Sequence, residues 1–265
     1  MGVTVTFTLT VLGSAGSHPG VGRMCSGYLL THTNTTGKTT RILIDAGNGA
    51  TANLQRYTSF SALDAIVLTH RHNDHIADMI GMFYGLRYAP TQTGALAVYA
   101  AHEVADTLAA MLTRDSANDL SGTFTFTTLN DDSVITIGDV TLTACTAVHS
   151  VPAVSVKFVA DGATFVYSGD TAANAHLTTL AKNADVFLCE ATWTGAANNY
   201  PDGIHLTATG AGEHARDANV GELILTHLVG NTDPLTALRE AQQVFHGPIR
   251  LAHDLTTYPI IKGRP

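Results

Sequence analysis

The 265-residue sequence predicts an α/β fold, a sandwich of two mixed β-sheets packed face to face with helices on the outer faces. Three observations lead there. Strand-like segments come in two runs, each interrupted by segments of helical period. A composition of 45% hydrophobic and only 14% charged residues supplies the apolar side chains that two sheets and their helices must bury. The length suits one domain over residues 1–265, and no linker, repeat or low-complexity tract divides it.

Taken in order, Val3, Val5, Phe7, Leu9 and Val11 alternate with threonines and predict a half-buried strand over 3–11. The run from Gly13 to Gly20 is too rich in glycine to be anything but a loop. Gly27–Leu30 and Arg41–Ile44 flank the polar stretch Asn34–Lys38 as the arms of a hairpin, and the second arm ends at Asp45-Ala46-Gly47. Ala65–Leu68 is short, continuous and apolar, the pattern of a strand buried on both faces. Ile76, Met79, Ile80 and Phe83 then recur at helical spacing. Further strands are expected at 96–99, 123–128, 134–137, 140–146, 153–159, 163–167, 186–189 and 222–226, with helices near 101–112, 172–182, 207–217 and 234–245.

The charge balance is 14 Lys and Arg against 22 Asp and Glu, a net −8. No basic face follows from such a composition, so long nucleic acid is not the expected partner. Cys25, Cys145 and Cys189 are far apart and include no Cys-x-x-Cys, so they specify neither a disulfide framework nor a thiolate zinc cage. A reducing cytoplasm fits that usage. The N-terminus reads as a strand instead of a signal peptide, and no run approaches the roughly 18 apolar residues needed to span a membrane. The expectation is a cytoplasmic protein with no membrane partner.

The 13 histidines nearly equal the lysines and arginines together. Several fall in Thr69-His70-Arg71-His72-Asn73-Asp74-His75, between the buried strand and the following helix. Imidazole and carboxylate suit zinc and similar divalent ions, and four such groups within six residues cannot all reach one tetrahedral ion. Two adjacent ions resolve this, with His70 and His72 on the turn and Asp74 and His75 at the helix N-terminus. Further ligands are expected where strands run out, at His149, Asp170 and His227.

At this point the sequence resembles the metallo-β-lactamase-fold hydrolases over nearly its whole length. The family's five motifs stand in order as Asp45; His70, His72, Asp74 and His75; His149; Asp170; and His227. The resemblance implies an αββα sandwich in which His70, His72 and His149 hold one metal, Asp74, His75 and His227 hold the second, and Asp170 bridges them. The cofactor it implies is a pair of divalent ions, zinc by ligand type, with manganese or iron as alternatives for a mixed His/Asp set. Asp45 reads as a carboxylate that fixes a loop, since the ligand set is complete without it.

Asp170 occupies the position where the commonest zinc β-lactamases use cysteine. A bridging carboxylate favours two ions with a hydroxide between them, suited to attack on phosphorus, although lactonases share that aspartate. Cys189-Glu190-Ala191-Thr192-Trp193, with His205-Leu206-Thr207 and Glu222–His227 after it, is similar to the ribonuclease Z branch. That resemblance makes His205 the general acid and Glu190 the group that orients it. It also gives Asp74 the part of proton acceptor from the attacking water. Leu12–Gly16 and Ser26–Leu29 resemble the same branch, and their glycines either let backbone amides approach a phosphate or serve only as turn residues.

One departure stands out. Ribonuclease Z proteins that mature tRNA usually carry a long arm between the ligands matching His149 and Asp170, and here those residues are only 21 apart. That interval suffices for a strand pair with a turn at Asp161-Gly162. An armless chain of this type resembles the actinobacterial cyclic-nucleotide-degrading phosphodiesterases. The expected function is therefore hydrolysis of a small phosphodiester, a cyclic nucleotide before others, by metal-bound hydroxide with His205 as acid. A tRNA 3′-endonuclease and a lactonase or other carbonyl hydrolase remain as alternatives. The branch commonly dimerises, so a homodimer is expected from the resemblance alone. Of the histidines left over, His18 and His253 are the two whose positions suggest proximity to the site.

Overall fold

The alternation of threonine with aliphatic residues is the pattern of a pleated, half-buried surface, and it forms strands in the computed structural model, which describes residues 6–89, 94–230 and 232–263. β1 (Thr6–Gly13), β2 (Gly27–Thr33) and β3 (Thr39–Ala46) make an antiparallel meander. After the short α1 (Ala50–Leu54) comes β4 (Ala65–Leu68), all four of whose residues are buried. α2 (Asn73–Ile76) and α3 (Met79–Arg87) lead to β5 (Leu96–Ala100). α4 (Val104–Met111), α5 (Arg114–Asn118) and α6 (Leu120–Thr123) lead to β6 (Phe124–Thr128). β4, β5 and β6 extend the sheet in parallel from β3.

The second half repeats this plan. β7 (Val134–Ile137), β8 (Val140–Thr146), β9 (Val154–Ala160) and β10 (Ala163–Tyr167) form an antiparallel meander. α7 (Ala175–Leu180), β11 (Val186–Glu190), α8 (Ala208–Asp217), β12 (Leu223–Thr226), α9 (Pro234–Val244) and β13 (Ile249–Leu251) follow, with these strands parallel to β10. β14 (Thr257–Pro259) then crosses back and pairs antiparallel with β1. Among the described residues each sheet has seven strands, in the orders β14-β1-β2-β3-β4-β5-β6 and β13-β12-β11-β10-β9-β8-β7.

The expected sandwich is present, with differences in detail. Residues 3–5 of the first expected strand lie outside the described residues. The helical spacing after the histidine turn covers two helices, because Asp78 interrupts the run: its amide bonds to Ala46 O, and its carboxylate accepts from the amides of Gly49 and Thr51 at the start of α1. α1, α5, α6, β13 and β14 were not expected from the sequence. Each is five residues or fewer, too short to display a period. The interval between His149 and Asp170 is filled by the β9–β10 hairpin, with Asp161 (φ 50°) and Gly162 (φ 78°) at its turn.

One apolar core draws on both sheets, with Leu9, Leu30, Ile44 and Val67 from the first and Leu142, Phe158 and Phe165 from the second. A second core seals α7, α8 and α9 against the far face of the second sheet, where Val166, Phe187 and Leu225 meet Ala211, Ala215, Ala237 and Ala241. Those alanines let the helices lie close to the strands. Among the described residues no helix is long and apolar enough to cross a membrane.

Two buried tyrosines join the sheets. Tyr28 of β2 reaches across to bond its hydroxyl with that of Thr226 on β12, 2.8 Å away. Tyr167 of β10 reaches the other way and donates to Asp45 Oδ2 at 3.1 Å. Their rings lie 5.0 Å apart.

Candidate metal centre

The site is assembled where β3, β4, β8, β10, β11 and β12 run out. β4 enters the turn at Thr69, His72 precedes α2 in extended conformation, and Asp74 and His75 occupy the first turn of α2. The short helix thus points Asp74 and His75 to one side while the turn points His70 and His72 to the other. His149 follows β8, Asp170 follows β10, and His227 follows β12.

Two groups of potential ligand atoms share Asp170, with His70, His72 and His149 in one and Asp74, His75 and His227 in the other, and Glu190, His205 and His227 form a third in which Glu190 and His205 are already hydrogen-bonded; the atoms of each group lie within 4.8 Å of one another. In the first, His72 Nδ1 lies 3.1 Å from both His70 Nε2 and His149 Nε2. Asp170 Oδ2 is 3.5 Å from His70 Nε2 and 3.9 Å from His149 Nε2. In the second, His227 Nε2 is 3.2 Å from both His75 Nε2 and Asp74 Oδ2, and Asp170 Oδ1 is 3.3 Å from His75 and 3.4 Å from His227. Ligand bonds of about 2.0–2.1 Å to a tetrahedral ion put neighbouring donors roughly 3.3 Å apart, so these separations suit one ion per group. Asp170 Oδ1 is buried and accepts no well-aligned hydrogen bond. An orphaned carboxylate oxygen between two imidazoles is what a bound cation would satisfy. The donor set fits a pair of divalent ions.

Two carboxylates, one from each sheet, account for the remaining ring nitrogens of His70, His75 and His227. Asp45 Oδ2 accepts directly from His75 Nδ1 at 2.7 Å. Asp45 also accepts from the Thr69 hydroxyl, whose oxygen is 3.1 Å from His70 Nδ1. Glu190 repeats the pattern: Oε1 accepts from His205 Nδ1 at 3.0 Å, and Oε2 accepts from the Thr192 hydroxyl at 2.6 Å. That hydroxyl has spent its proton, so it accepts from His227 Nδ1 at 2.8 Å. Each carboxylate therefore holds one histidine directly and a second through a threonine. His149 Nδ1 donates to Ile204 O at 2.7 Å. Such partners fix which nitrogen faces an ion and raise its basicity.

Asp45 is a loop-fixing carboxylate, as the sequence suggested. It sits at φ 53° and His227 at φ 59°, left-handed conformations that are uncommon outside glycine and concentrate at functional sites. Thr69, Thr192, Tyr167 and the carbonyl of Ile204 were not anticipated. Thr69 and Thr192 stand inside the motifs, but a hydroxyl carries no chemistry that distinguishes it from any other strand threonine.

The glycine loop bends its amides inward. Ser17 N donates to Asp74 Oδ2 at 2.8 Å, Gly16 N donates to Leu228 O, and His18 N to Gly16 O. The loop is a brace for Asp74, and these amides do not project toward a phosphate. A Cβ on Gly16 would lie 2.6 Å from His227 O, and one on Gly47 would lie within van der Waals overlap of the Asp74 carbonyl, so both positions need glycine. Neither His18 nor His253 belongs to the ligand groups found among the described residues.

The electrostatics of His70 and Asp170 agree with ion binding, whereas His75, although buried, is raised well above its ordinary value by Asp170, Asp45 and Asp74, so an ion there would have to displace its proton. Burial, reinforced by the neighbouring His75, pushes His70 well below its ordinary value and keeps it neutral, as a ligand must be. Asp170 is held well below the usual carboxylate range against the effect of its own burial, by His227, His75 and His70. Burial also opposes charge on His205, but Glu190 outweighs it and raises that imidazole to about 9. His205 is 13% exposed at its side chain, whereas His70, His75, His149 and His227 are at 0–1%.

Comparison with known proteins agrees with this geometry. The profile of the beta-lactamase superfamily domain matches residues 40–228. An uncharacterised protein of Mycobacterium leprae is 34% identical over 263 residues, covering 98% of this chain and 90% of its own length. The probable metallo-hydrolase YhfI of Bacillus subtilis is 29% identical over 254 residues, 92% of this chain and 96% of its own. Its crystal structure superposes with a TM-score of 0.83 at 25% identity, covering 95% of this chain and 99% of that one. The ribonuclease Z of Bradyrhizobium diazoefficiens is 28% identical over 303 residues, 94% of this chain and 98% of its own. With its two seven-stranded sheets and its His/Asp cluster, the chain belongs to the metallo-β-lactamase superfamily of metal-dependent hydrolases and is similar to ribonuclease Z.

Proposed function

We propose that this protein is a dinuclear-metal-dependent phosphodiesterase acting on a small phosphodiester, with a cyclic nucleotide as the leading substrate. The observation that carries this reading is His205, an imidazole at the rim of the cluster whose ring centroid is 5.1 Å from His149 and 5.5 Å from His227. Its Nδ1 is committed to Glu190, which leaves Nε2 to face a bound substrate. A phosphodiester expels a poor alkoxide leaving group and gains from a positioned acid; a lactone or lactam has less need of one.

His70, His72 and His149 would hold one ion and Asp74, His75 and His227 the other, with Asp170 contributing an oxygen to each. Zinc suits the donors best, with manganese or iron as competitors. When bound, such ions supply Lewis acidity and a water that ionises near neutral pH. The chain's own residues do the rest. Asp74, steadied by Ser17 N, takes a proton from the attacking water. Asp170 holds the two halves of the cluster at constant separation. His205, protonated beside Glu190, gives its Nε2 proton to the departing oxygen.

The hairpin between His149 and Asp170 and the net charge of −8 favour a small substrate over tRNA. The ribonuclease Z relative keeps precursor tRNA as the second reading. The deciding experiment is metal analysis of the purified protein together with a panel of cyclic AMP, cyclic GMP, bis(p-nitrophenyl) phosphate, precursor tRNA and a lactone. Turnover of the cyclic nucleotides and the synthetic diester is expected. Turnover of the lactone alone would overturn the reading.

A further inference from the structure

Trp193 is the only tryptophan in the chain, and it follows Thr192, whose hydroxyl holds His227. Its backbone is bound on both sides to the segment that carries His205: Trp193 N donates to Leu206 O at 3.2 Å, and Ala208 N donates to Trp193 O at 2.8 Å. The indole meets the His205 ring at 86° with centroids 5.2 Å apart. It also lies flat against Tyr200, 4.5 Å away and within 5° of parallel, and the Tyr200 hydroxyl is tied to Thr194 O at 2.7 Å. A large aromatic side chain is thus held rigid beside His205 while remaining only half-buried.

A cavity of about 270 Å³ opens at this place, bounded by Trp193, Pro201, Asp202, His205 and Glu213. It lies just under the roughly 300–1,000 Å³ of complete small-molecule sites, which suits one ring system of a ligand. Asp202 and Glu213 are exposed carboxylates, and no lysine or arginine is among the described residues that line the cavity. A further phosphate would be repelled there. Tyr200 covers one face of the indole, and a neutral planar ring bearing N–H donors would pack against the part exposed in the cavity and find acceptors in the two acids.

His205 bears on where such a ring belongs. An acid that protonates the leaving oxygen has the group attached to that oxygen on its own side of the scissile bond. In a nucleoside 3′,5′-cyclic phosphate, that group is the ribose and its base. We propose that the cavity at Trp193 is the subsite for the nucleobase of a mononucleotide, which rests on the phosphodiesterase reading above and narrows it to substrates carrying a base.

The test uses the metal-loaded protein and the fluorescence of its single tryptophan. Titration with 5′-AMP is expected to change the indole emission and to show at least tenfold tighter binding than ribose 5-phosphate, which lacks the base. Trp193→Ala is expected to abolish that advantage and to raise KM for cyclic AMP about ten- to a hundredfold, the worth of one base stacked on an aromatic ring, with a smaller fall in kcat. Trp193→Phe should restore most of it, and circular dichroism of both variants checks that they fold. Equal binding of the two ligands, or a kcat loss in Trp193→Ala with KM unmoved, would overturn the proposal and leave Trp193 as a prop for His205. Failure of the broader reading shows separately, as absence of phosphodiester turnover by the wild type. The titration would still decide the subsite, because binding requires no turnover.

Discussion

His205 differs from the four buried histidines behind it by what its second nitrogen does. His70, His75, His149 and His227 turn Nε2 into the two ligand groups, whereas His205 hangs from Glu190 at the rim and is 3.8 Å from Asp170 through Nδ1, the nitrogen already engaged. Replacing it should therefore leave the ions in place. His205→Ala is expected to lower kcat for a phosphodiester by about a hundred- to ten-thousandfold, with metal content by elemental analysis unchanged. Loss of metal in that variant would make His205 a ligand, and undiminished turnover would favour a carbonyl hydrolase. The residues that cluster here were legible in the sequence because histidine and aspartate at strand ends carry their chemistry in their identity. Two details were not. His72 offers Nδ1 where the other rings offer Nε2, and Thr69 and Thr192 relay hydrogen bonds to His70 and His227. Both depend on where a ring or hydroxyl points, which residue type does not specify.

At the scale of elements, the two tyrosines matter most. Tyr167 leaves β10 to donate to the same Asp45 oxygen that receives His75, so a strand of one sheet stabilises a ligand carried by the other. Tyr167→Phe keeps the ring and its packing against Tyr28 and removes only the donor. Loss of an outer partner of this kind typically weakens ion binding about ten- to a hundredfold. The loss is expected in the group of Asp74, His75 and His227, measured by chelator competition, while unfolding in urea shifts by only about 1 kcal/mol. Equal weakening in both groups, or none, would show that the hydroxyl does not act through Asp45. Strand alternation and the β9–β10 turn could be read from sequence because each has a local signature in side-chain period or in Asp-Gly. The break at Asp78 could not, since it exists only because Gly49 and Thr51 present their amides there. β13 and β14 escaped for a similar reason: three residues become a strand only when an edge is available to pair with.

At the scale of the molecule, both groups that contain Asp170 take members from both sheets: His70 and His72 meet His149, and Asp74 and His75 meet His227. The two-run pattern of strands announced the sandwich, but not which strand ends would meet. Because ions held by the folded cluster would have no such site in the unfolded chain, their removal would cost stability, about 2.7 kcal/mol for one ion present at a hundred times its dissociation constant. Chelation is expected to lower the thermal midpoint by several degrees, and returning the metal should restore it; an unmoved midpoint would mean that the sheets stay joined without the ions. The positions joined are far apart in the chain. His72 and His149 are separated by 77 residues and Asp74 and His227 by 153, while Cys25, Cys145 and Cys189 are all free thiols. Closing loops of that length removes conformational freedom much as a disulfide does. Ions held there would therefore act as cross-links in a chain that has no covalent ones among its cysteines. A chelator would withdraw them without breaking a covalent bond of the chain, which makes the mouth of the sandwich the first place expected to open when they leave.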